Sequence, residues 1–204
     1  MALNGPRFAV WGAVVKIFRQ SGFSLIELLM VTALVGIVSV IGLPLLGQIS
    51  GSIELGEAAR QVERELQSAR MAAVSANQPM RVMFNCPNNG DFRLVELIGT
   101  PAVPAAADGV VGRCSTTTYP FPAPDNNPIT RPNNDGPLRS LKSTVTFTTF
   151  TTIEFWPDGT AHTNSGLVNP WPPIASTGQN IVLTRSGKTR TIVVNGIGKI
   201  QLLP

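Results

Sequence analysis

Ser21-Gly22-Phe23-Ser24-Leu25-Ile26-Glu27-Leu28-Leu29 is the stretch on which the reading of this chain turns. From Phe23 to Leu46 the residues are almost wholly apolar, the exceptions being Ser24, Glu27, Thr32 and Ser39. A helix over that stretch is about 36 Å long, enough for a hydrocarbon core of ~30 Å. A surface helix of a globular domain carries a polar face, and this segment has none. Residues 1–22 hold Arg7, Lys16 and Arg19 and no acid, which keeps the N-terminus in the cytoplasm and sends the C-terminal bulk across the membrane. A cleaved secretory peptide would have a shorter apolar run with a small-x-small site after it. Pro44-Leu45-Leu46 supplies no such site. Glu27 is the anomaly, because a carboxylate inside a membrane helix costs about 2.5–3.5 kcal/mol on insertion scales. It calls for a partner, or for a place near the headgroups to which it can snorkel.

The junction resembles the type IV prepilin processing site: Gly22 before the cut, Phe23 after it, and an acid, Glu27, as the fifth mature residue. The resemblance implies cleavage between Gly22 and Phe23 by a prepilin peptidase and N-methylation of Phe23. It also implies a partner for Glu27, the free amine of Phe23 on a neighbouring subunit, which would set the stagger of subunits in a filament. The leader, 1–22, is long for such a site and carries its own apolar run from Phe8 to Val15; either the leader is long or translation starts later.

Working outward, Gly42, Pro44, Gly47 and Gly51 cluster where the helix would leave the bilayer. Pro44 removes one backbone hydrogen bond and crowds the preceding turn, so a kink or a locally melted stretch is expected there. Helical periodicity resumes with Leu55, Ala59, Val62, Leu66, Ala69, Ala73 and Ala76, a narrow apolar stripe for the chain's own sheet. Asn77-Gln78-Pro79 stops the helix. After Pro79 the period becomes two. Strands are expected at Met80–Asn85, Phe92–Ile98, Thr144–Thr149, Ile153–Trp156, Asn180–Arg185, Arg190–Asn195 and Lys199–Leu203, with Pro/Gly/Asn-rich turns between them. Gly99–Ser140 reads as a loop of unusual length, rich in Pro, Ala, Asn and Asp, and Asn164–Gly178 as a second loop.

The expected fold is α+β: a long N-terminal helix, half transmembrane and half amphipathic, packed on an antiparallel β-sheet. The division is 1–22 leader, 23–47 transmembrane helix, 48–78 amphipathic half and 79–204 β-rich periplasmic domain. This layout resembles the GspH/FimT family of minor pilins and pseudopilins. The resemblance rests on the N-terminus, on Leu66-Gln67-Ser68-Ala69-Arg70 with Asn77, on Ile153-Glu154-Phe155-Trp156-Pro157-Asp158-Gly159, and on Arg190-Thr191-Ile192-Val193-Val194-Asn195 followed by Gly198-Lys199. It implies a structural subunit of a type IV pilus, or of a type II secretion pseudopilus. That subunit is anchored in the bacterial inner membrane and partnered by prepilin peptidase and by other minor and major pilins or pseudopilins.

Other chemistry is sparse. Cys86 and Cys114 are the only cysteines; outside the cytoplasm they point to a disulfide, with two free thiols as the alternative. His162 is the only histidine and lacks the surroundings of a nucleophile elbow, so it reads as structural or solvated and the chain as non-enzymatic. Asn88-Asn89-Gly90-Asp91 and Asn133-Asn134-Asp135-Gly136 read as turns rather than calcium loops. No cofactor or metal is expected. Arg185, Lys188, Arg190 and Lys199 form an acid-free C-terminal run that could meet DNA phosphates. Some members of the family bind DNA during uptake for transformation, through a Gly-Arg-x-Arg motif. Its counterpart by position here, Gly198-Lys199-Ile200-Gln201, keeps one cation.

The formal charge of +4 and the pI of about 9.6 look like a nucleic-acid signature at first. Three of the 16 cations sit in the leader. Without them 13 cations face 12 acids, so the basic balance is mostly a topology signal. With charged residues at 14% and mean hydropathy +0.17, the chain is no disordered polyelectrolyte.

Overall fold

The computed structural model describes residues 22–164 and 168–203, without the side chains of 41, 43–46 and 48. Helix α1 runs Leu25–Ala76. It is helical throughout, Pro44 included, so the locally melted stretch is not adopted. The chain divides into two units, Met1–Leu45 and Leu46–Pro204. Within the first, residues 22–24 are non-helical and α1 begins, the Leu28 N–H donating to the Ser24 carbonyl at 3.1 Å.

Within the second unit α1 buries the stripe read from the sequence: Leu55, Ala59, Val62, Leu66, Ala69 and Ala73 are all inside. The helix ends where Asn77 takes a positive φ of 51° and the Gln78 N–H closes back on the Ala73 carbonyl at 3.2 Å. That is the Schellman way of satisfying the last carbonyls, and Pro79 then forbids another turn.

The strands are β1 Met80–Phe84, β2 Asp91–Glu96, β3 Arg139–Ser140, β4 Thr146–Thr149, β5 Ile153–Phe155, β6 Ala161–Thr163, β7 Gln179–Arg185, β8 Lys188–Val194 and β9 Ile200–Leu203. They form two antiparallel sheets rather than the one expected: β3-β2-β1-β5-β6 and β4-β7-β8-β9. The fold is α+β as read. The break falls at β4, which joins β7 instead of continuing from β5. The two sheets meet through aromatics, Phe84 and Phe92 of the first lying 5.1 and 5.9 Å from Phe147 of the second. Strands β3 and β6 escaped the sequence reading because two and three residues are too few to display an alternation.

Strands β1, β2 and β5 are buried along their whole length. Met80, Val82, Phe84, Phe92, Leu94, Ile153 and Phe155 join the core shared with α1. Arg81, Met83, Arg93, Val95 and Glu154 alternate with those residues and point to the opposite face, yet they are buried too. The long loop between β2 and β3 lies over them. A 3-10 turn in that loop, Val111–Cys114, is stapled to Cys86, two residues past the end of β1, by the Cys86–Cys114 disulfide. Met83, Val95 and the two half-cystines form a small second core.

Candidate assembly and processing site

Gly22, Phe23 and Ser24 precede the helix and are exposed, Phe23 by 81%. The Gly22–Phe23 peptide thus stands in an open, non-helical segment. Ser24 and Glu27 have the spacing of a capping box, and Glu27 lies in the first turn of α1. There the positive end of the helix dipole favours a carboxylate. Among the described residues no hydrogen bond or ion pair reaches the Glu27 carboxylate. Beyond it every described side chain from Leu25 to Val40 is exposed, including Ile26, Leu28, Leu29, Leu34 and Val38. Among the described residues no helix is long and apolar enough to cross a membrane.

The long loop is held by buried charges, among them Asp135, which the sequence places in an Asn/Asp/Gly turn. Arg113, fully buried, grips both oxygens of Asp135, donates to the Glu96 carbonyl at 2.9 Å and stacks on the Tyr119 ring at 4.2 Å. Asp135 also accepts the Glu96 N–H at 2.8 Å. Arg93, likewise fully buried, donates to the carbonyls of Gly136 and Tyr119 at 2.8 and 2.7 Å. Burial pulls its guanidinium down from the ordinary value; Asp135 at 3.9 Å pushes it back up and Arg113 adds to the lowering. The Glu96 carboxylate takes Arg131 on one oxygen at 2.5 Å and the N–H groups of Asn133 and Asn134 on the other at 2.8 and 2.9 Å. Burial alone would raise its pKa, but these donors outweigh it and hold the group below the usual carboxylate range. Asp108 gathers three backbone N–H groups, from Ile98, Gly99 and Ala105. Arg81 bridges the Asp108 carbonyl at 2.7 Å and Glu154 at 2.6 Å. The one available signal was an arginine in the middle of each strand, in Met80-Arg81-Val82 and Phe92-Arg93-Leu94. A solvent face and a covered face produce the same alternation.

Of the four C-terminal cations, Arg185, Lys188 and Arg190 share the β7–β8 hairpin and Lys199 stands apart. Arg185 ion-pairs with Glu54 at 2.9 Å and donates to the Ser50 carbonyl at 3.3 Å, tying β7 to α1. Lys188 and Arg190 sit at the start of β8, Lys188 opposite Arg185. Lys199 precedes β9, whose Ile200 pairs with Val194 at the far end of β8, about 20 Å along the strand. His162 is buried in β6, stacked on Trp156 at 3.7 Å, with Nδ1 on the Trp171 carbonyl at 2.8 Å. It is a packed residue, the structural half of its expected reading. Among the described residues no cluster of His, Cys, Asp or Glu could hold a metal ion.

Residues 58–198 match the family described as type II transport protein GspH. The chain belongs to that family. The GspH match starts in the buried half of α1 and ends at the turn before β9, so it takes in the first sheet, the long loop and the second sheet apart from β9. Residues 17–43 match the prokaryotic N-terminal methylation motif, spanning the Gly22–Phe23 junction. Two crystal forms of the type IV minor pilin FimU of Pseudomonas aeruginosa strain PAO1 are among the similar solved structures. Both are 16% identical. One covers 76% of this chain and 92% of FimU with a TM-score of 0.44, the other 74% and 93% with 0.41. A search of curated proteins gives no match.

Proposed function

We propose that this GspH-family chain is a minor pilin or pseudopilin, a structural subunit used in the assembly or at the tip of a type IV pilus, with the type II secretion pseudopilus as the second setting. Prepilin peptidase removes residues 1–22 and methylates Phe23. Residues 23–47 hold the subunit in the inner membrane, residues 48–78 carry the amphipathic half of the helix, and residues 79–204 lie in the periplasm. Glu27 receives the Phe23 amine of a neighbouring pilin during assembly, and Pro44 is where the helix yields when subunits pack. The observation that carries this reading is the exposed Gly22–Phe23 peptide, set directly before a helix whose first turn holds Glu27 and whose following side chains are apolar and uncovered. An uncovered apolar row of this kind requires lipid or other helices.

The test is mass spectrometry of the N-terminus after expression in a peptidase-competent host. The expected terminus is N-methyl-Phe23; an intact Met1 overturns the proposal. Replacing Gly22 by Ala, which puts a Cβ beside the scissile bond, should leave the leader in place.

A further inference from the structure

Sheets are normally protected at their edges, since an edge presents a row of unpaired backbone groups. Three of the four edges here are blunted. Strand β3 has two residues. Strand β6 is capped by residues 172–174, through a bridge from His162 to Pro173 and the Ile174 N–H on the Ala161 carbonyl at 2.9 Å. Strand β4 shifts register between Phe147 and Thr149. The fourth edge, β9, has none of these devices. Its sequence Ile200-Gln201-Leu202-Leu203 carries no charge and no proline, and it pairs with β8 without a bulge. Among the described residues no backbone hydrogen bond reaches 200–203 other than the ladder to β8.

The direction of the free groups follows from the turn. The Asn195 N–H donates to the Lys199 carbonyl at 3.1 Å, which makes 195/199 a hydrogen-bonded position. Alternation then makes 193/201 and 191/203 hydrogen-bonded pairs and 194/200 and 192/202 the non-bonded ones. The N–H and C=O of Ile200 and Leu202 therefore point away from β8, to the open edge. Exposed apolar side chains lie beside it, Leu203 at 44% and Ile197 at 70%.

We propose that the β9 edge takes an extended strand from a neighbouring, non-identical subunit, which pairs with Ile200 and Leu202 and lays an apolar side chain on Leu203. This is recognition by β-strand addition, and it rests on the reading of the chain as a filament subunit. The non-identity of the partner follows from symmetry. Sheet edge to sheet edge, and with its other edges blunted, a second copy could meet β9 only through its own β9, about a twofold axis. Such a pair is closed and cannot continue head to tail.

Amide hydrogen exchange on the full chain tests this, comparing protein in detergent micelles with protein in sheared, purified filaments. The amides of Ile200 and Leu202 should exchange fast in micelles and slow by about tenfold or more on assembly. Those of Gln201 and Leu203, held by β8, should be protected in both. Fast exchange at 200 and 202 in filaments whose α1 amides have become protected overturns the proposal. Absence of the chain from the filaments, detected by antibody, overturns the functional reading and this proposal with it. Protection of the two amides in a micellar dimer of this chain alone overturns the choice of partner. Leu203→Lys, which leaves the β8 ladder intact, should cut incorporation at least several-fold at an unchanged melting temperature; wild-type incorporation counts against the edge.

Discussion

Asp135 is a single carboxylate between two fully buried guanidinium groups, Arg113 and Arg93. Removing one partner of such a cluster leaves uncompensated charge in a low-dielectric site, which costs about 3–5 kcal/mol. Asp135→Asn should therefore destabilise the protein by that order in urea unfolding. Replacing the apolar residues around it would give a smaller and more graded loss. Glu96 adds a pH dependence of known sign. Its folded pKa lies below the ordinary value, so its contribution is fully present above the usual glutamate range and is lost as the pH falls from there through the lowered folded pKa. Glu65 runs the other way: burial raises its pKa, with Arg139 lowering it in part, so acidification relieves a cost there. The loop tied to Glu96 should accordingly loosen before the helix does. Tyr119, the only tyrosine and the ring beneath Arg113, reports this in an NMR pH titration. Glu96→Gln should remove the pH dependence of its signal.

At the scale of elements, the disulfide and the turns carry the clearest expectations. The Cys86–Cys114 bridge closes a loop with a sequence separation of 28; opening it by the double serine variant should cost about 3–4 kcal/mol in the chain-entropy model. Gly198, at φ 72°, has room for no side chain, because a Cβ there would lie 2.2 Å from the Gly159 carbonyl oxygen. Gly198→Ala should cost more than about 1 kcal/mol, read as a lower thermal midpoint. Elements were legible where one physical signal dominated: the α1 stripe, its stop at Asn77, and β7 and β8 with their turn. The second sheet was not, because a strand's period says which face is buried and nothing about which neighbour it pairs with. The loop was misread for a related reason. Asn134-Asp135-Gly136 has the composition of a solvated turn, and only the fold brings Arg113, 22 residues away, against it.

For the whole molecule, the charges divide into those that hold the fold and those that remain on the surface. Most of the cations in strands belong to the first group, as Arg81, Arg93 and Arg185 show. The DNA reading is left with Lys188 and Arg190 as neighbours. Two adjacent cations give a shallow salt dependence at most, so the full chain in detergent should not retard duplex DNA at physiological ionic strength. Retardation abolished by replacing those two residues would reverse that expectation. The ties on the long loop are unevenly spaced. They fall at Asp108, Arg113 and Tyr119, then again from Arg131 to Gly136, while residues 120–130 are almost wholly exposed. Lengthening a segment anchored at both ends adds little closure entropy, about 0.6 kcal/mol per doubling. A short epitope tag spliced between Phe121 and Thr130 should be displayed with the melting temperature unchanged. The same tag placed at Gly112 or Asn134 should unseat the cover of the first sheet.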